Sequence, residues 1–366
     1  MRGTTLLLVA PLGLFGCSPK SEIVVAHALA QPIRKQGFPP QTALVGARLV
    51  VGLAGTELDE RTRSAIQQGK VGGLILMPNN IVSVEQLRRL TDGARAAAAL
   101  EGRPPPMICI DQEGGRVDRL RRIPGMPPRA SAARIAKRGV RHIEAAAFNV
   151  GRTLVEAGIN VNFAPVADLR ARGIVGDRSY GMDPKSVAAC ASAAVRGMQA
   201  AGIAAVVKHY PGHGMTTEDS HRTLPVARVK EKVFVRHEGV FQQTAASGPA
   251  GAMVGHLLVP SVDPALPASL SPTFVGKLRG ILGPDGLIFT DSGSMDALRP
   301  YGNEARRAAR ALDAGVDVYL TTTPWAGLPK SFVVQVLRHV QHPERLEAAY
   351  ERSSAWRAKW CADRIR

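Results

Sequence analysis

The chain has 366 residues, 45% of them hydrophobic, which is ample for a large core and allows one to three domains. Its formal charge is +17 and its pI about 10.4. Much of the excess lies in Arg116, Arg119, Arg121, Arg122, Arg129, Arg134, Lys137, Arg138 and Arg141, against only Asp118. Such a face suits an anionic polymer or an acidic membrane, or is simply a solvated arginine-rich surface. No zinc knuckle or aromatic RNA-binding strand accompanies it, so nucleic acid is not expected. The four cysteines, Cys17, Cys109, Cys190 and Cys361, are too widely spaced for a disulfide framework or a zinc pattern. Cys109 and Cys190 read as small core residues.

At the N-terminus, Arg2 precedes the apolar stretch from Leu6 to Gly16, too short to span a bilayer and suited to a signal-peptide core. It ends in Leu14-Phe15-Gly16-Cys17-Ser18, which resembles the lipobox of bacterial lipoproteins, where the cysteine is acylated. The expectation is an exported protein, periplasmic or membrane-anchored through Cys17; an ordinary export signal is the other reading. Residues 18–45 form a lead-in containing Pro and Gln, and residues 46–366 form the main domain.

Eight strand-like apolar runs follow: Arg48 to Ala54, Gly73 to Met77, Met107 to Ile110, Val161 to Val166, Ile203 to Val207, Ala252 to Val259, Leu287 to Phe289 and Val316 to Leu320. Helical segments lie between them, including Asp59 to Gln68, Ser83 to Leu100, Ile143 to Ala157, Pro184 to Ala200, Lys230 to Ala246 and Ala305 to Ala314, and a last one from Ser331 to Trp360. Eight strands alternating with helices argue for a parallel sheet, and the count favours an α/β fold of the closed (β/α)8 TIM-type barrel over a doubly wound sheet. In such a barrel, chemistry sits at strand C-terminal ends. Asp111, Asp168, Lys208 with His209, His256 and Asp291 each follow an apolar run. Any one of them alone also fits a helix N-cap.

The densest stretch runs from Lys208 to His221. It holds Lys208, His209, His213, Glu218, Asp219 and His221, with Pro211, Gly212 and Gly214 opposing a regular helix. The polar groups are therefore expected on an irregular loop, delivered by the strand before it. If that loop is extended, Asp219 and His221 project the same way, and Asp219 orients His221 as a base-and-orienter pair; a surface salt pair is the bland equivalent. His209, His213, Asp219 and His221 are also zinc-type residues, but structural zinc prefers Cys, and a His-x3-His pair works best on the helix that Pro211 opposes. A carboxylate such as Asp291 at a barrel strand end suits a nucleophile or a ligand.

Lys208-His209-Tyr210-Pro211-Gly212-His213-Gly214, with Asp219-Ser220-His221 and Leu224-Pro225, resembles the signature of family 3 glycoside hydrolases, specifically the single-domain bacterial β-N-acetylglucosaminidases. Asp111-Gln112-Glu113-Gly114-Gly115-Arg116-Val117, Asn162 to Asp168, Gly176-Asp177-Arg178-Ser179-Tyr180, and Ile288-Phe289-Thr290-Asp291 with Ser294-Met295 resemble further blocks in the family's order, over roughly residues 45–350. The resemblance implies that Asp291 is the nucleophile and that His221, paired with Asp219, is the general acid/base. It implies that Asp111, Arg178, Lys208 and His209 bind the terminal N-acetylglucosamine, with Arg116 and Arg122 as further candidates. It also implies action on peptidoglycan-derived saccharides without a cofactor or metal.

Three departures stand out: Met215 where the family usually has Asp, Ser292-Gly293 in place of Asp-Leu, and Met77-Pro78-Asn79-Asn80 in place of an Arg-Asn ending. Alternatives in keeping with the residues are a β-N-acetylglucosaminide phosphorylase, since a His acid/base adds no negative charge against an incoming phosphate, and a non-catalytic wall-fragment receptor.

Overall fold

Eight strands form one parallel sheet: β1 (Leu49–Gly52), β2 (Gly73–Leu76), β3 (Met107–Ile110), β4 (Val161–Asn162), β5 (Ala204–Tyr210), β6 (Gly251–Val254), β7 (Leu287–Thr290) and β8 (Tyr319–Pro324). Their order is β7-β6-β5-β4-β3-β2-β1-β8. A parallel bridge between Phe289 and Val318 brings the two ends together, making the (β/α)8 barrel. The computed structural model describes residues 39–170 and 173–362, so the leader expected through Cys17 lies outside the described residues. Residues from Pro39 onward form one compact unit.

The strands are nearly continuous apolar runs because both their faces are buried. Alternate residues split into two cores. Val50, Ile75, Cys109, Val161, Val206, Met253 and Phe289 fill the barrel interior. Val51, Leu74, Ile108, Ala205, Val254 and Ile288 face the surrounding helices. Those helices are α1 (Gln41–Gly46), α2 (Glu60–Gln67), α3 (Val84–Leu100), α4 (Ala132–Ala136), α5 (Val140–Glu156), α6 (Pro184–Ala200), α7 (Glu231–Ala245), α8 (Pro272–Leu282), α9 (Glu304–Ala314), α10 (Phe332–His339) and α11 (Leu346–Trp360). Side chains cap several of their starts: Asp59 accepts from Thr62 N–H, Ser83 from Gln86 N–H, Asp183 from Ser186 N–H and Asn303 from Arg306 N–H. Helix α11 closes the N-terminal end of the barrel. Its Trp356 packs edge-on against Phe289 and donates to the Ala250 carbonyl at 2.7 Å. This leaves the C-terminal end for the site.

The structure differs from the sequence expectations at a few points. Strand β4 stops at Asn162 instead of running to Val166, because Pro165 has no N–H for the ladder. The stretch Ser331 to Trp360 is two helices, broken around His342-Pro343. Helix α8 was not among the expected segments; Gly276 and Gly280 dilute its pattern. Strand β5 extends through Lys208, His209 and Tyr210, so the first two polar residues of the dense stretch stand on the sheet and not on a loop.

Candidate active site

Lys208 and His209 leave the end of β5 almost wholly buried. An ammonium buried in protein needs counter-ions. Lys208 Nζ has two, Asp111 Oδ1 at 2.6 Å and Glu113 Oε1 at 2.7 Å. Asp111 and Glu113 follow β3, two residues apart. Glu113 also receives Arg178 through two bonds of 2.8 Å, from Nε and Nη2. Two carboxylates and two cations thus lie in one contiguous network. Burial alone would raise the Glu113 carboxyl, but the Lys208 and Arg178 charges outweigh it and hold the group well below the usual carboxylate range. Burial alone would lower Lys208; Asp111 and Glu113 outweigh that and raise it.

Backbone and side-chain bonds tie the contributing segments together. Asn162 exchanges two bonds with the Gln112 backbone, accepting from its N–H at 2.9 Å and donating to its carbonyl at 3.0 Å. Gln112 in turn donates to Asp118 and accepts from Leu120 N–H. Gly114, at φ +87°, brings its backbone so close to Ala130 that an added Cβ would lie 2.3 Å from the Ala130 carbonyl oxygen.

His209 Nδ1 lies 2.7 Å from Asp168 Oδ2, while Asp168 Oδ1 accepts from the His213 N–H at 2.7 Å. Asp168 is fully buried and serves to orient His209 and the start of the following loop. His213 packs edge-on against His209, with ring centroids 5.1 Å apart. Burial pushes the His213 imidazole down to about 4, so it is neutral at physiological pH.

Asp291 directly follows β7. Its N–H donates to the Val254 carbonyl, and its Oδ1 accepts from Ser292 N–H at 2.7 Å. Burial opposes its charge, but His209, His256, His213 and the Ser292 N–H together hold the carboxyl below the usual range. His213 and His256 are themselves lowered by burial, so near neutrality their rings act on Asp291 as dipoles and not as full charges. Fully buried His256 bonds to Ser269 Oγ and to the Ser292 carbonyl, each at 2.8 Å, and so fixes the backbone beside Asp291.

Asp219 and His221 do pair, by a different geometry from the extended one expected. Asp219 Oδ1 accepts from the His221 backbone N–H at 2.9 Å and lies 2.8 Å from His221 Nδ1, within a turn. His221 is exposed, at 63% of its side chain. Burial opposes ionisation of Asp219, but the two contacts with His221 outweigh it and lower the carboxyl. The turn is tied down by the buried Ser220, whose carbonyl accepts from Ala297 N–H, and by Glu218, which accepts from Val226 N–H.

One cavity of about 260 Å³ joins these parts. Asp111, Arg178, Lys208, His209, His221 and Asp291 all line it. Asp219 stands behind His221. Arg116 borders the cavity; Arg122 is exposed and does not. Glu113 and Arg119 were not among the expected site residues, and Asp168 and His256 were expected only as polar groups at strand ends, without a particular role. Arg119 lines the cavity, and its buried Nε has no hydrogen-bond partner. The available signal for Glu113 was its two-residue spacing from Asp111; for Asp168 and His256 it was their place after strands. Among the described residues, no three His, Cys, Asp or Glu side chains gather as a metal set.

Local packing accounts for the departures. Met215 packs partly buried against the main core. A Cβ on Gly293 would collide with the Tyr319 hydroxyl, and Ser292 joins a hydroxyl cluster with Ser294 and Thr322. Asn80 accepts from Met77 N–H and donates to the Leu53 and Gly55 carbonyls, which holds Met77 at the cavity wall.

A barrel with Lys208, Arg178, three carboxylates and three imidazoles around one cavity at its C-terminal end has the arrangement of a barrel enzyme. Residues 41–352 match the glycosyl hydrolase family 3 N-terminal domain, and the chain belongs to this family of glycoside hydrolases. A beta-hexosaminidase of Alkalilimnicola ehrlichii is 37% identical over 306 residues, covering 81% of this chain and 85% of its own. A glycoside hydrolase family 3 beta-N-acetylglucosaminidase from Paenibacillus sp. shares 33% identity at a TM-score of 0.81, over 88% of this chain. This chain spans only 63% of the Paenibacillus protein. A beta-N-acetylhexosaminidase from Beutenbergia cavernae shares 28% identity at a TM-score of 0.77, over 87% of this chain and 98% of its own.

Proposed function

We propose that this glycoside hydrolase is a retaining β-N-acetylglucosaminidase, removing terminal non-reducing N-acetylglucosamine from peptidoglycan-derived fragments. The observation that carries the reading is that Asp291 and the Asp219-backed His221 border the same cavity as Asp111, Arg178, Lys208 and His209. Asp291, held ionised, attacks the anomeric carbon. As that bond forms, the bond to the leaving oxygen breaks and His221 gives its proton to that oxygen. Water then attacks the glycosyl ester, His221 takes a proton from it, and Asp291 leaves as carboxylate. An imidazole suits both steps because the same ring nitrogen can give up the proton and take it back. Lys208, Arg178, His209 and Asp111 hold the sugar hydroxyls. The names of the hexosaminidase relatives support the acetamido sugar as substrate.

The test is hydrolysis of an aryl β-N-acetylglucosaminide beside the matching β-glucoside. Strong preference for the acetamido sugar, with the β-anomer as first product, supports the reading; equal rates or the α-anomer would sink it. Export and lipidation at Cys17 are part of the proposal, motivated by the apolar leader. They predict acyl labelling that disappears in Cys17→Ala. The basic surface would then meet anionic wall polymers or lipid, an attraction that weakens with salt.

A further inference from the structure

A second and larger cavity, of about 480 Å³, lies beneath α4 and alongside α5 and α6. Its walls include Met126, Ile135, Ile143, Val150, Tyr180 and Met198. Helix α5 explains why it stays open: Ile143, Gly151 and Leu154 are buried, whereas Ala146, Ala147 and Val150 on the same side are only half covered. The size is that of a small-molecule site. The unpaired charges around it are cationic. Arg138 lines the cavity, and neither it nor the adjoining Arg134, Lys137 and Arg141 has an acidic partner among the described residues, whereas Arg129, also on the wall, is paired with Asp118 at 3.7 Å. The one carboxylate on the wall, Glu113, is already bonded to Arg178 and Lys208. An apolar interior under a cationic rim fits a ligand with a long apolar body and a single anionic head.

We propose that this cavity binds a single-chain anionic amphiphile, an acyl chain bearing a carboxylate or phosphate, with the chain between α4, α5 and α6 and the head at Arg138. The proposal goes beyond the hydrolase reading and does not depend on it.

The test is calorimetric titration of the full chain with decanoate, dodecanoate and tetradecanoate, each as monomer, beside dodecanol and phosphatidylglycerol vesicles. The site predicts saturable one-to-one binding that tightens roughly fourfold per added methylene until the chain outgrows the cavity. It predicts weaker binding of dodecanol, which lacks the charge. Ala146→Trp and Val150→Trp, on different turns of α5, each fill the cavity and should weaken dodecanoate at least tenfold; circular dichroism and melting temperature report that each is folded. Arg138→Glu should weaken it severalfold. Unsaturable binding in the unmodified chain would overturn the site. So would undiminished binding by a folded filled variant, or dodecanol binding as tightly as dodecanoate. Binding to vesicles without binding of monomers would also overturn it, leaving only surface attraction.

Discussion

Replacing Glu113 by Gln keeps the shape of the side chain and removes its charge. In the structure that charge faces Lys208 at 2.7 Å and is gripped twice by Arg178 at 2.8 Å, with all three side chains largely buried. Lys208 would keep Asp111, whereas Arg178 would lose its carboxylate partner. Breaking a buried pair from one side costs about 3–5 kcal/mol. For a domain of this size that is a melting-temperature drop of roughly 4–7 °C. The effect on activity follows from the same contacts. Without Glu113, burial and the Arg178 charge push Lys208 down, so its proton is lost at lower pH. The account predicts a raised KM, a smaller change in kcat, and an alkaline limb of kcat/KM shifted toward neutrality, with Glu113→Asp intermediate. Differential scanning calorimetry and a pH series on an aryl β-N-acetylglucosaminide measure all of this. A Glu113→Gln variant with wild-type stability, KM and alkaline limb would refute the role given to the network.

Two of the remaining predictions concern protons and one concerns binding. His213, pushed down to about 4, stays neutral in the fold while an unfolded histidine protonates near 6.5. The unfolded state therefore binds more protons between those values, and stability must fall as pH drops from 6.5 toward 4, by about 3 kcal/mol from this residue. Denaturant unfolding of His213→Phe across that window should show a correspondingly flatter pH dependence; an unchanged slope would refute the assignment. His221→Ala should lose about 10²- to 10⁴-fold on alkyl or sugar leaving groups and much less on a nitrophenyl one, read from kcat/KM across a leaving-group series. Equal losses across the series would show that His221 does not donate the proton. Arg119→Ala should raise KM with modest change in kcat, since Arg119 borders the cavity with an unpartnered Nε; an unchanged KM would remove it from the sugar site.

The barrel was legible because its strands are continuous apolar runs separated by capped helices. Asp183-Pro184, for example, marks a helix start where the structure places one. Strand limits were less legible. Lys208 and His209 look like loop residues until the buried carboxylates that accept them are known, and those come from distant segments of the chain. The same reason hid Glu113 and left Asp168 without a role: nothing local distinguishes a carboxylate open to a ligand from one that holds a cation or an imidazole in place. Asp219 and His221 were readable as a pair because their two-residue spacing serves a turn as well as an extended loop. The apolar cavity beside α5 left no signal in the pattern, since half-covered Ala and Val positions read as ordinary core.

The central claim is that Asp291 forms the covalent bond to the sugar. The most direct measurement is mass spectrometry of peptides after reaction with a fluorinated N-acetylglucosaminide whose glycosyl-enzyme intermediate breaks down slowly. The account predicts one sugar per chain, attached at Asp291 and absent from Asp291→Ala. A sugar on another side chain, or turnover of Asp291→Ala at the wild-type rate, would contradict it.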